Sequence, residues 1–308
     1  MQTRPPFDAL IAFDAALRLG SMTLAAGELG VTQSAVSHRI RRLEAFMGTA
    51  LLLRRNAGLA PTPAGAALAE GLTALLDDLA GLRSRCRAAD APDNLRVGVG
   101  AALAGNWLVR RLPGFAAACP GIAIELAVVE NEAQAHAPDI DLRILWVPAA
   151  EARSTSTQRP LFQECVFPVC HPALLPAAFV PGDPALLSTL PLLHKGPAGR
   201  GTGAEWSWAA WLDRLGLPPR PGDTLRFATI GTAIAAALEG AGAVLARSML
   251  VHDALADGRL VRLLPDGWDM PSSKVHVLRW PAALSGDDRV RRFAAWLVER
   301  TAETAAAP

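Results

Sequence analysis

The stretch from Thr32 to Met47, TQSAVSHRIRRLEAFM, constrains this chain more than any other. At helical period Val36, Ile40, Leu43 and Met47 fall on one stripe, and Ser34, Ser37, His38 and Arg41 fall on another, roughly opposite. An ordinary surface helix offers water a mixture of Glu and Lys. This one offers hydroxyls, an amide, an imidazole and arginines, with Glu44 the single acid near its end. Such groups suit base edges in a major groove and the phosphates beside it. Between Thr32 and Arg55 the cations Arg39, Arg41, Arg42, Arg54 and Arg55 face Glu44 alone, about +4 locally in a chain whose net charge is +1. A merely solvated polar face is the competing reading of the stretch taken alone; its neighbours argue against it.

Pro5 and Pro6 open a first helix with Phe7, Leu10, Ile11 and Leu17 as its expected buried face, ended by Gly20. A short second helix runs from about Thr23 to Leu29, capped by Ser21 or Thr23 and stopped at Gly30. Thr32 then caps the third helix, which completes a helix-turn-helix arrangement. After Gly48, residues Leu51 to Arg55, the Asn56-Ala57-Gly58 turn and Leu59-Ala60 predict a small hairpin, or wing. Its Arg54 and Arg55 are placed for phosphates or a narrow minor groove. Thr62-Pro63 starts a fourth helix. Leu68, Leu72, Leu75, Leu79, Leu82 and Cys86 form a heptad seam along it, about 24 residues or ~36 Å. A seam this narrow predicts a partner helix and a dimer; packing onto the chain's own wing domain is the alternative.

Residues 7 to 65, notably LIAFDAALRLGSMTLAAGELGVTQSAVSHRIRRLE, LLLRR and PTPAG, resemble the winged helix-turn-helix of the LysR-type transcriptional regulators. Ala25-Ala26, the run Val31 to Ser37, Ile40, Leu43-Glu44, Gly48, Arg54, Thr62 and Ala64-Gly65 carry the likeness. Leu52 departs from it, since the family usually has Phe there. The resemblance implies a cytosolic, sequence-specific regulator, dimeric through the fourth helix and tetrameric through its C-terminal part. Its partners are double-stranded promoter DNA, a small-molecule effector and, further, RNA polymerase, with no membrane. Gln33, Ser34, Ser37, His38 and Arg41 are the expected base and adjacent phosphate contacts. Arg39 and Arg42 serve the backbone, Arg54 and Arg55 the wing, and Thr23 and Thr32 join the DNA-contacting set.

At 308 residues and 51% hydrophobic, the chain has room for two or three packed units. Arg87 to Asn94 reads as a polar linker. Strands are expected at 95–99, 122–129, 140–146, 161–170, 190–194, 225–228, 243–246 and 274–280, with helices at 106–118, 206–215, 231–239 and 287–301. That alternation predicts a parallel α/β sheet in two lobes joined by chain crossovers. The fold expected is multidomain: an all-α winged helix-turn-helix at 1–62, a linker and dimerisation helix at 63–90, and a two-lobed α/β effector domain at 91–308, similar to periplasmic binding proteins. Lobe I takes about 91–160 and 266–308, and lobe II about 161–265. FATIGTAIAAALEGAGAVLARSMLVHDALADGRLVRLLP, WAAWL and VCHPALL resemble the effector domain of the branch that includes the glycine-cleavage and β-lactamase regulators.

In each lobe a helix follows a strand, at Ala101 to Asn106 and at Thr229 to Thr232, where free N–H groups favour a carboxylate. The expected effector-binding residues are Ala101, Ala102, Asn106, Trp146, His194, Thr229, Ile230 and Thr232; helix capping is the competing role for each singly. Ala101 and Ala102 stand where many relatives place Ser or Thr, and Leu145-Trp146 follow Arg143. Such a mouth has few polar anchors, which predicts an effector with apolar or aromatic area.

No metal or cofactor is expected. Cys86, Cys119, Cys165 and Cys170 lack CxxC spacing. Gly98-Val99-Gly100 has Leu103 where a dinucleotide fingerprint needs its third glycine, and Gly199 to Gly203 lacks a P-loop ending. Neither GxSxG nor HExxH occurs, and the histidines are scattered, so catalysis is not expected. Lysine appears only at 195 and 274, which reads as codon bias. No run approaches a membrane span. The alternative function is an α/β solute-binding protein or enzyme with an accessory DNA-binding segment.

Overall fold

The computed structural model of the chain describes residues 6–55, 58–90, 93–129, 140–177, 179–196, 204–219 and 225–306. It divides into two compact units, Met1–Leu79 and Ala80–Pro308.

In the first unit α1 spans Phe7–Leu19, α2 Met22–Leu29 and α3 Gln33–Met47. Their ends follow the expected chemistry. Ser21 caps α2, its oxygen accepting from the Leu24 N–H at 3.4 Å, so Ser21 rather than Thr23 takes that role. Thr32 caps α3 by accepting from the Ala35 N–H at 3.2 Å. Gly20, Gly30 and Gly48 all take the left-handed conformation that stops a helix.

The buried face of α1 differs from expectation. Phe7 and Ile11 are 62% and 54% exposed, while Ala9, Ala12, Phe13 and Ala16 are sealed. Small side chains let α1, α2 and α3 approach closely, so Ala12, Ala15, Ala16, Ala25 and Ala26 pack with Val36 and Ile40. Met47, the last residue of α3, lies beyond this core and is exposed.

Strands β1 (Leu52–Arg55) and β2 (Gly58–Pro61) pair antiparallel as the wing. Glu44 ties the wing to α3, its Oε1 accepting from the Leu51 N–H at 2.8 Å and the Leu52 N–H at 3.4 Å. The fourth helix, α4, begins at Pro63 and runs to Asp90, 28 residues or ~42 Å. It therefore absorbs the first half of the expected linker, Arg87 to Asp90. At its start Gly65 lies so close to Leu51 that a Cβ would sit 2.0 Å from the Leu51 carbonyl oxygen.

The heptad seam splits in two. Leu72 is buried with Ala9, Phe13, Leu43 and Leu51, and Leu68 packs beside it. This packing joins the start of α4 to the first unit. Leu75, Leu79 and Leu82 are each about half exposed, and Cys86 is exposed.

In the second unit the strands are β3 (Asn94–Val99), β4 (Ala123–Val128), β5 (Leu142–Pro148), β6 (Gln158–Cys170), β7 (Leu192–Lys195), β8 (Arg226–Phe227), β9 (Ala243–Arg247), β10 (Val261–Arg262) and β11 (Met270–Arg279). They order as β4-β3-β5-β11-β6-β9-β7-β8, with β10 on β6. The sheet is mixed, not parallel: β11 runs antiparallel to β5 and β6, and β6 to β9. The reason is that the long strands β6 and β11 carry the chain between the two halves in opposite directions.

The first helical segment also differs from expectation. It begins at Ala101, not Asn106: α5 (Ala101–Leu103) passes into a π-turn at Ala104–Leu108, then α6 covers Leu112–Ala118. Further helices are α7 (Trp208–Arg214), α8 (Ile230–Leu238), α9 (Ser248–Ala256) and α10 (Asp288–Ala306). The short α9 was not legible as a separate helix. A continuous apolar core underlies the sheet, from Trp107 and Phe293 through Val166 and Phe167 to Trp211 and Ile234.

Candidate functional sites

The outward side of α3 presents Gln33, Ser34, His38 and Arg41 to solvent, with Ser37 half-buried between them. Gln33, Ser34, Ser37 and Arg41 border a groove of about 430 Å³ with Met22, Leu52 and Leu59. Thr23 and Thr32 are exposed, and Thr32 Oγ1 lies 2.9 Å from Ser34 Oγ. The three arginines of α3 differ sharply. Arg42 and Arg39 both pair with Asp8 of α1, Arg39 at 3.6 Å. Arg41 is exposed and has no ion pair among the described residues. An arginine held by no acid keeps all five donors for an external acceptor. Arg54 and Arg55 stand on β1 opposite Leu59 and Gly58; their side chains, and the Asn56-Ala57 turn, lie outside the described residues.

The second unit holds a cleft of about 940 Å³. Ala101, Ala102, Trp146, Thr229 and Ile230 line it. Asn106, His194 and Thr232 do not. Asn106 Nδ2 donates to the Ala102 carbonyl at 2.9 Å, and Thr232 is spent on the α8 cap with Thr229. His194 alternates with Lys195 on β7, and the strand turns Lys195 to the cleft instead. Arg143 is buried and is not among the residues that line the cleft.

Sequence reasoning missed the charged wall. Among the described residues, Lys195, Arg247, Lys274 and Arg279 line the cleft, with one carboxylate, Glu151, in the same lining. The Arg247 guanidinium and the Lys274 ammonium stand over the Trp146 ring at 4.9 and 5.0 Å. Lys195 stands over Trp206 at 4.9 Å, and the two indoles meet edge to face at 6.0 Å. Arg279 is oriented by Gln158, whose Oε1 accepts from its Nε at 2.9 Å. One signal was present: both lysines of the chain are in this cleft.

Behind the wall, Glu164 is fully buried, 3.0 Å from Arg247 and 3.5 Å from His276 Nδ1. Burial pushes its carboxyl up to about 7 against the pull of Arg247. Burial and Arg247 together hold His276 well below its ordinary range, so it is neutral at pH 7. Lys195 is also lowered, by burial and then by Arg247 and Lys274.

The other motifs have plain structural roles. A Cβ at Gly98 would lie 2.9 Å from Ile140, which accounts for that glycine by packing. Gly199 to Gly203 and His136 lie outside the described residues. Among the described residues no cluster of potential metal ligands occurs, and no helix is long and apolar enough to cross a membrane.

A winged helix-turn-helix on the same chain as a two-lobed α/β unit with an open cleft defines a ligand-responsive DNA-binding regulator. Residues 7–66 match the bacterial regulatory helix-turn-helix protein, lysR family, and residues 89–302 match the LysR substrate binding domain. The chain belongs to the LysR family of transcriptional regulators and is a regulator rather than an enzyme. It is 30% identical over 298 residues to the transcriptional activator AmpR of Rhodobacter capsulatus, covering 97% of this chain and 98% of that one. It is 32% identical over 261 residues to the glycine cleavage system transcriptional activator of Escherichia coli K12, covering 83% and 82%. The fold is shared with the LysR-type regulator CrgA of Neisseria meningitidis, at TM-score 0.53 and 23% identity over 96% of this chain and 98% of CrgA. It is also shared with the effector domain of Pseudomonas aeruginosa AmpR, at 0.50 and 24% over 68% of this chain and 96% of that domain.

Proposed function

We propose that this regulator reads a pseudo-palindromic promoter site with the α3 faces of two copies and adjusts that binding to a small effector held in the cleft. Residues 1–62 contact DNA, 63–90 join the copies, and 91–308 bind the effector in the cytoplasm. Gln33, Ser34, Ser37, His38 and Arg41 take base edges and neighbouring phosphates, and Arg54 and Arg55 take phosphates through the wing. Thr23 and Thr32 hold the rim of the same surface. Arg39 and Arg42 reach the backbone only on leaving Asp8.

The observation that carries this reading is Arg41, the exposed α3 arginine with no ion pair among the described residues. Leu75, Leu79 and Leu82 support a second α4 as partner, since an exposed leucine seam at heptad spacing favours helix pairing. Leu72 and Leu68 contribute instead to the chain's own core. Pairs of dimers joined through the effector domains give the tetramer. Ala101, Ala102, Leu145 and Ile230 supply one apolar side of the cleft, which favours an effector with apolar or aromatic area.

A mobility-shift assay on duplexes selected from a random library tests the reading. Affinity for the selected duplex should fall steeply with salt and exceed that for scrambled sequence. Equal affinity for every duplex would contradict it.

A further inference from the structure

Among the described residues the cleft lining carries four cationic side chains, Lys195, Arg247, Lys274 and Arg279, against one carboxylate, Glu151. Lys195 and Arg247 come from the neighbouring strands β7 and β9, while Lys274 and Arg279 come from β11. Arg247 is 8% exposed, and its one counter-charge among the described residues, Glu164, is buried behind it and shared with His276. Its Nε and the Trp146 indole N–H have no hydrogen-bond partner among the described residues. Buried donors of this kind cost free energy until an acceptor reaches them.

The choice of side chain points the same way. This chain has 30 Lys and Arg residues, yet both of its lysines are in this cleft. An ammonium is a compact, mobile point charge that follows an anionic group through different geometries, where a guanidinium demands a planar, bidentate partner. Here two ammoniums and a guanidinium rest on the Trp146–Trp206 pair, so each cation already lies over a ring face. A ligand need not order these groups from water before using them.

We propose that the effector carries at least two negatively charged groups, bound between Lys195 and Arg247 on one side and Lys274 on the other, with its apolar part against Ala101, Ala102 and Ile230. This rests on the reading of the cleft as the effector site. It names the ligand class: an organic dianion, as a dicarboxylate or a phosphomonoester. Because the cations stand on strands from both parts of the sheet, such a ligand bridges β7 and β9 to β11, a means of fixing the lobes.

Calorimetric titration of the full chain at low salt and about pH 7.5 tests this with four probes: phthalate and phenyl phosphate as dianions, benzoate as a monoanion, and benzamide as a neutral analogue. At least one dianion should bind, with benzoate at least about tenfold weaker and benzamide weaker still. Which dianion prevails distinguishes a carboxylate source from a phosphate source. Lys195→Met and Lys274→Met keep the apolar stem and remove the charge; each should weaken the dianion about tenfold with an unchanged circular dichroism spectrum. No binding of either dianion up to about 10 mM, benzamide binding as tightly as the dianions, or lysine variants that bind normally would each overturn the proposal. The DNA complex separates the two readings. A dianion that binds through the lysines without altering affinity for the selected duplex upholds the ligand class and sinks the effector role. A neutral compound that binds the cleft and alters DNA affinity does the opposite.

Discussion

The α3 face and the cleft present similar groups, but they are assembled in different ways. Every base-reading candidate of the first unit lies within nine residues of one helix, Gln33 to Arg41, and helical period alone arranges them. The cleft draws Lys195, Arg247, Lys274 and Arg279 from three strands far apart in sequence, and only sheet register brings them together. A site on one element is robust to distant change. A site spread over β7, β9 and β11 depends on every crossover that orders them.

The sharpest way to break that comparison is to disable one unit at a time. Gly65→Ala forces a Cβ to within 2.0 Å of the Leu51 carbonyl, between α4 and the wing. Gly242→Ala meets the Pro191 carbonyl at 2.4 Å and requires a positive φ as well. Each should destabilise its own unit by roughly 3 kcal/mol or more. Thermal melts should show Gly65→Ala losing DNA binding while the cleft still takes ligand, and Gly242→Ala the reverse.

Next in size is the pH dependence built into the cleft floor. Glu164 keeps its proton more tightly in the folded chain than in the unfolded one, because its carboxyl moves from 4.5 to about 7. Its contribution is therefore complete below about 4.5 and is lost as pH rises toward 7. His276, held below 6.5, has the opposite sign and gains with pH up to that value. Glu164→Gln removes the falling part alone. Relative to the wild type, the variant should gain up to about 3 kcal/mol between pH 4.5 and 7.5 in urea melts. A difference that stays flat across this window contradicts a proton on Glu164.

How much is legible in the sequence follows from the same contrast. The helices, their caps at Thr32 and Gly48, the wing and Arg41 could be read directly, since local spacing specifies them. The buried face of α1 was misread because Phe7 and Ile11 are the larger hydrophobes, yet close helix packing selected the alanines. The antiparallel course of β11 could not be read, because strand direction depends on where the chain returns. Lys195 was passed over for His194 by a slip of one residue, which on a strand changes the face. The lysine pair was visible as a composition anomaly but carried no position until the strands were in register.

Two smaller effects sharpen the division of labour on α3. Arg41→Ala should remove about 1–3 kcal/mol of discrimination at one base pair, seen as a relaxed preference in selection experiments. Arg42→Ala breaks an exposed pair with Asp8, so stability should change by less than about 1 kcal/mol. Its DNA affinity should drop alike on all sequences, with the salt slope smaller by about 1.

The most direct test of the account is fluorescence anisotropy of the full chain, wild type and Arg41→Ala, against a selected duplex and its scrambled counterpart. The wild type should prefer the selected duplex strongly, and Arg41→Ala should lose most of this preference while retaining salt-dependent binding to both. A variant that discriminates as well as the wild type would contradict it.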